Sequence, residues 1–424
     1  MLNKIAKRLL SLVLAAMLLI GATGCGSSTV GASIVEEDGW FTAWGTAMLT
    51  ASVDETPTSP TLKQNTCRQQ VRVSIGGDKI RITLSNEYGD IPLNIESVHI
   101  AHLVDSSSST IDTSTDTVIT FNGGSESVDL AGGEKIVSDE VDFSFEALDC
   151  LAITIKFGNY VGGTITCHTA ARCSTWIVEG DHVSDETLTG ASVMTSTYYI
   201  ESVETWASAG TKTVVCIGDS ITDGASSTNN GYARYPDTLM ELLAADDSVG
   251  NVAVVNKGIG GNAVFGGLGD ALVDRFQRDV IDVLADTPGE RYCILLIGIN
   301  DIGYESEDLS ESIIDAYEEL IELCHENDIL IYAGTLTPIE GSSYYSELHD
   351  ETRVALNEYI RSSKSKFDGY IDFDLALQDP DNTSKLLDGY VSIWNDYLHP
   401  NDAGYAKMGE TAYEFLKEIL VDSE

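Results

Sequence analysis

The hydrophobic pattern changes period once along this chain. From about Trp40 to Trp206 apolar residues recur at every second position. Val71, Val73 and Ile75 alternate with Arg72 and Ser74, and Ile80, Ile82 and Leu84 follow across Gly76-Gly77-Asp78. Alternation of this kind marks half-buried strands, and a Gly-Gly-Asp turn between two of them predicts a hairpin. Similar runs recur near 98–104, 118–121, 136–143, 151–157, 164–169, 175–178 and 194–200, separated by Gly, Asn, Asp and Ser clusters. About eight to ten short strands with no long helical pattern between them predict an all-β sandwich of the jelly-roll kind.

After Thr211 apolar strands alternate with stretches of helical period. The strands fall near 214–217, 252–256, 292–297, 329–333 and 369–373, and the helices near 235–245, 268–284, 309–326, 346–363 and 401–420. Such alternation predicts a parallel sheet with helices on both faces. Right-handed crossovers then bring the carboxyl end of every strand, and the loop after it, to one edge. The expected organisation is a β-sandwich over residues 38–208 and an α/β domain over 209–424.

The N-terminus alters the expected address. Lys4, Lys7 and Arg8 precede an apolar run from Leu9 to Ala22, the arrangement of a secretory signal and too short for a comfortable transmembrane helix. The run ends at Ala22-Thr-Gly-Cys25, which resembles a bacterial lipoprotein processing site. Residues 1–24 are therefore expected to be removed, with Cys25 lipidated and 25–37 a flexible linker; ordinary cleavage with release is the alternative. The expected location is the outer face of a bacterial cell membrane, contacted through the lipid anchor alone. A net charge of −43 repels phosphate backbones and excludes nucleic acid as a natural partner. Seven cysteines follow Cys25 at irregular spacing. They form no disulfide framework and no zinc motif; Cys216 and Cys293 fit buried strands, and any pair among Cys150, Cys167 and Cys173 remains open.

Candidate chemistry gathers in the loops leaving the parallel strands. Gly218-Asp-Ser-Ile221 puts a hydroxyl on the turn after the first strand. Asn256-Lys-Gly-Ile-Gly-Gly-Asn262 follows the second strand and offers backbone amides, without the GxGxxG or GKS/T patterns of phosphate loops. Gly298-Ile-Asn-Asp-Ile-Gly303 follows the third, where Asn300 carries an amide donor. Before the last helix, Asp396 and His399 stand three residues apart and Pro400 fixes the chain behind the histidine. One turn can bring that carboxylate to one imidazole nitrogen while the other faces the sheet edge. In the N-terminal half, Trp40, Trp44 and Trp176 are candidates for packing, or for a carbohydrate platform.

Taken together, Gly218-Asp-Ser-Ile221, Gly261 in Ile-Gly-Gly-Asn262, Gly298-Ile-Asn-Asp301 and Asp396-Tyr-Leu-His399 resemble, in order, the four blocks of the SGNH hydrolase superfamily, the GDSL esterases. The N-terminal half is similar to the β-rich module that precedes this domain in a bacterial subset. The resemblance implies a three-layer α/β/α catalytic domain. It implies Ser220 as nucleophile, His399 as general base and then acid, and Asp396 as its orienter. The Ser220 and Gly261 amides and the Asn300 side chain would form the oxyanion hole, with Asp219 and Asp301 positioning these loops. It implies no metal or organic cofactor. The expected substrate is a short-chain carboxylic ester, with acetyl on a plant polysaccharide as the leading case. Lipase, arylesterase and thioesterase chemistry share the mechanism. A non-catalytic carbohydrate-binding surface lipoprotein is the alternative of a different class.

Overall fold

The computed structural model describes residues 38–421 apart from Gly162 and Asp286, so the signal segment and Cys25 lie outside the described residues. Among the described residues no helix is long and apolar enough to cross a membrane.

The N-terminal half is all β and antiparallel. One sheet runs Gly39–Gly45, Ile200–Ala207, Gly77–Ser85, Lys135–Val137, with Val141–Phe145 also on Gly77–Ser85. A second runs Ser192–Met194, Thr175–Glu179, Asn65–Arg72, Cys150–Phe157, Leu93–His102, Thr117–Ile119, with Val128–Leu130 on Leu93–His102. The two share one core: Phe41, Ile80, Ile82 and Val203 from the first meet Val71, Ile100, Ile153 and Ile177 from the second. A small third sheet joins Leu49–Thr50, Thr166–His168 and Thr197–Tyr198.

The predicted hairpin across Gly76-Gly77-Asp78 does not form. Its two strands belong to different sheets. Val73 still exchanges backbone bonds with Leu148 and Asp149, beside the second sheet, whereas the Ser74 amide already donates to Ala43 of the first. Both runs bury their apolar residues in the same core, so alternation specified the buried face and left the pairing partner open. Cys150, Cys167 and Cys173 are all free thiols.

The C-terminal half carries a five-stranded parallel sheet in the order Val252–Gly258, Lys212–Gly218, Arg291–Leu296, Leu330–Gly334, Gly369–Ile371. Its strands are apolar and almost wholly buried, as a sheet covered on both faces requires. Helix Tyr235–Ala244 packs on Asp402–Leu420, and Ser310–His325 packs on Glu347–Arg361 and Leu272–Phe276, completing an α/β/α arrangement. The helix predicted over 268–284 starts later, at Leu272. The residues before it form a tight loop closed by a bridge between Asn262 and Gly267, and a π-helical turn at Gln277–Ile281 interrupts the helix.

The sandwich covers an edge of the parallel sheet. Strand Val252–Gly258 lies against Gly39–Gly45. Its Val254 amide donates to the Ser74 hydroxyl (3.0 Å), the Lys257 ammonium donates to the Thr46 carbonyl (2.7 Å), and Ala253 enters the sandwich core. An otherwise open strand edge is thereby closed by the chain's own N-terminal half.

Candidate active site

Strand Lys212–Gly218 is buried end to end and delivers Ser220 to the carboxyl edge of the sheet. The strand order reverses between this strand and Arg291–Leu296, the place where open α/β sheets leave a crevice. Gly218 is required by space: a Cβ there would stand 2.2 Å from the Leu296 carbonyl oxygen and 2.4 Å from Thr222 Oγ1. The Asp219 carboxylate accepts from the Ile221 amide (2.9 Å) and caps the short helical turn Ser220–Asp223. Gly224 closes that turn in the left-handed conformation, its amide donating to the Ser220 carbonyl.

The structure brings Ser220, His399 and Asp396 into one line. His399 Nε2 lies 2.9 Å from Ser220 Oγ, and Nδ1 lies 2.7 Å from Asp396 Oδ2. A carboxylate only accepts, so Nδ1 donates to it and Nε2 is left to accept the serine proton. Asp396 Oδ1 accepts from the Ser392 hydroxyl (2.8 Å) and from the Leu398 and His399 amides (both 3.1 Å). Burial opposes ionisation of Asp396, but the His399 ring and these amides outweigh it and hold the carboxyl well below its usual range. Asn395 and Tyr397 flank it with φ of 56° and 52°, a left-handed conformation that asparagine tolerates and that is costly for tyrosine. The Trp394 ring stands edge-on to the imidazole, 5.6 Å between centroids.

The second loop is pinned on three sides. The Ile259 amide donates to the Gly218 carbonyl (3.1 Å), and the Gly260 amide donates to Asp223 Oδ2 (3.0 Å). Gly261 follows at φ 74°, where a side chain would be strained. On the third side, Asn300 Nδ2 donates to the Asn262 carbonyl (2.8 Å) while the Tyr344 hydroxyl donates to Asn300 Oδ1 (2.9 Å). The amide cannot flip without losing both bonds, and its second N–H stays available. Asp301 accepts from the Val264 and Phe265 amides (2.9 and 3.2 Å), and burial raises its pKa. Burial also pushes Asp219 up to about 7; its Oδ2 is buried without a partner.

Several residues that sequence reasoning missed hold this arrangement. The fully buried Arg275 guanidinium reaches the Gly218 carbonyl (2.9 Å), the Lys257 carbonyl (2.8 Å) and Asn262 Oδ1 (3.0 Å), joining two strand ends to the loop between them. In sequence, Arg275 and Asp279 look like an exposed i,i+4 pair. The sandwich contributes as well. His168, at the end of Thr166–His168, places Nδ1 2.8 Å from the Ala47 carbonyl and Nε2 3.0 Å from Asp223 Oδ1, so it braces the carboxylate that holds Gly260. No spacing rule links residue 168 to residue 260. Of the candidate tryptophans, Trp176 and Trp44 pack against sandwich cores. Trp40 stands edge-on to Trp206 beneath Arg81 and lines a polar pocket of about 250 Å³ with Glu201 and Lys257.

Tyr344→Phe tests the amide clamp. It should lower kcat about tenfold, because a mis-set oxyanion donor is felt in the transition state, while KM stays near the parent value. Steady-state kinetics showing an unchanged kcat would remove Tyr344 from this role.

Fold and catalytic-edge geometry together define an α/β/α hydrolase preceded by an all-β module. Residues 216–407 match the model of the GDSL-like lipase/acylhydrolase family. The C-terminal half of the chain is an SGNH/GDSL hydrolase domain, and the protein is an ester hydrolase. No curated protein matches it. Among solved structures, it is similar to a protein assigned to the lipolytic G-D-S-L family from Desulfitobacterium hafniense (28% identity, 48% of this chain and 98% of the other, TM-score 0.37). A member of the same family from Veillonella parvula matches at 24% identity, over 48% and 97% of the two chains, TM-score 0.37. A carbohydrate acetylesterase family member from Sinorhizobium meliloti matches at 17%, over 49% and 99%, TM-score 0.38.

Proposed function

We propose that this ester hydrolase works by acyl transfer through Ser220 and removes short acyl groups, acetyl foremost, from polysaccharide hydroxyls. The observation that carries the mechanism is the unbroken line from Asp396 through His399 to Ser220. As the Ser220 oxygen attacks the ester carbonyl, His399 Nε2 takes its proton, and Asp396 stabilises the imidazolium. The developing oxyanion is met by the Ser220 and Gly261 amides and the free N–H of Asn300, donors typically worth about 3 kcal/mol each. His399 then returns the proton to the leaving alkoxide. Water, activated by the same imidazole, releases the acid and regenerates the serine.

The polysaccharide reading draws support from the rim of the site. Trp394 is half exposed beside His399, and an indole in that position offers a flat surface to a sugar ring. The test compares acetate release from acetylated polysaccharides with hydrolysis of p-nitrophenyl esters of increasing chain length. Acetyl esters should be cleaved fastest and acetate should appear from the polymer. Preference for long acyl chains, with no acetate from any polymer, would overturn the substrate while leaving the acyl-transfer chemistry standing.

A further inference from the structure

Across the Trp394 ring from His399 lies a cation to which the described residues offer no hydrogen-bonding anion. Ten arginines fall within the described residues. Nine donate to an oxygen of the chain: Arg68, Arg72, Arg81, Arg234, Arg275, Arg278, Arg291, Arg353 and Arg361. Arg172 is the exception, and its Nε is buried without a hydrogen-bond partner. Such a position is unexpected in a chain with 67 acidic and 24 basic residues, where carboxylates are abundant. The buried Nε is out of a ligand's reach, but the residue as a whole is partly exposed, and no oxygen of the described residues bonds its terminal nitrogens, which leaves them to an anion from outside.

Its placement is specific. The guanidinium lies over the Trp394 ring, 5.7 Å from its centroid, and that ring contacts His399. The backbone of Arg172 is held at φ 58°, a left-handed conformation unusual for arginine. Its carbonyl is fixed by the Asn230 amide (2.7 Å), and Asn230 is tied to Ser174 and Gln70. A strained, anchored turn of the sandwich therefore presents one charged fork at the rim of a site built by the other half. Guanidinium matches carboxylate in plane and spacing, and stacking on an indole leaves its edge free for that contact.

We propose that Arg172 forms an anion subsite and that the preferred alcohol is a sugar carrying a carboxylate, an acetylated uronic acid unit. This rests on the acyl-hydrolase reading above and narrows its substrate. The overall negative charge disfavours anionic polymers at long range, so recognition falls to this local cation.

The test uses matched substrates, acetylated methyl glucuronoside and acetylated methyl glucoside, with the full-length protein, Arg172→Gln and Arg172→Lys. The parent should favour the uronate about tenfold in kcat/KM. Arg172→Gln should bring that ratio close to one, and Arg172→Lys should keep part of it. Equal parent rates on the two sugars would overturn the subsite but leave ester hydrolysis intact. A ratio unchanged in Arg172→Gln would assign Arg172 to propping Trp394 alone. Failure of the parent on both sugars and on p-nitrophenyl acetate would remove the acyl-hydrolase reading, and the subsite with it.

Discussion

Ser220→Ala should retain the parent's thermal transition and lose ester hydrolysis by roughly ten-thousand-fold or more in kcat, as removal of a triad nucleophile does elsewhere. The side chain contributes one hydroxyl bond to His399, whose ring is still held by Asp396, so folding loses little. In the proposed mechanism catalysis loses the atom that forms the acyl bond. What survives is the slow attack of water, assisted by the oxyanion donors and by substrate positioning. Kinetics on p-nitrophenyl acetate, with a melting curve on the same preparation, checks both halves of the statement. Hydrolysis within tenfold of the parent would place the nucleophile elsewhere.

His168→Phe should lower kcat about 10- to 100-fold although residue 168 belongs to the sandwich and touches no reacting atom. The imidazole bridges the Ala47 carbonyl and the Asp223 carboxylate, both of them acceptors. Phenylalanine fills the space and donates nothing. Asp223 Oδ1 is then buried and unpaired, a loss of about 1–3 kcal/mol, and the carboxylate is free to turn away from the Gly260 amide. Gly261 is the next residue, so the N–H proposed to meet the oxyanion loses its aim while substrate contacts outside the loop persist. The effect should appear in kcat with KM little changed, in protein still folded at 25 °C by circular dichroism. A kcat within twofold of the parent would reduce His168 to a structural contact.

The parallel-sheet half was legible in the sequence because its signals are local. Apolar runs such as 214–217 and 292–297 are buried strands; Gly218 ends the first, Asn300 lies in the short helix after the other, Gly261 follows Val252–Gly258, and Asp396 and His399 stand just before the last helix. The structure brings Ser220, His399 and Asp396 within hydrogen-bond reach, with Asn300 against the Gly261 loop. The residues that brace them were illegible for a common reason. Arg275, Tyr344 and His168 act across long sequence separations, and each belongs to a residue type that ordinarily has a bland place on a surface or in a core. The hairpin at Gly76-Gly77 failed similarly: alternation fixes which face is buried, and two facing sheets bury the same face.

The covered strand Val252–Gly258 has a consequence for recombination. A sandwich moved onto another catalytic domain would carry away Ser74, Thr46 and the core surface that receives Ala253. The hydrolase half left behind would present a bare, apolar strand edge, the kind of template on which chains associate. The heritable unit is therefore the sandwich and the hydrolase half together, and the change of hydrophobic period near Thr211 is not a viable crossover point.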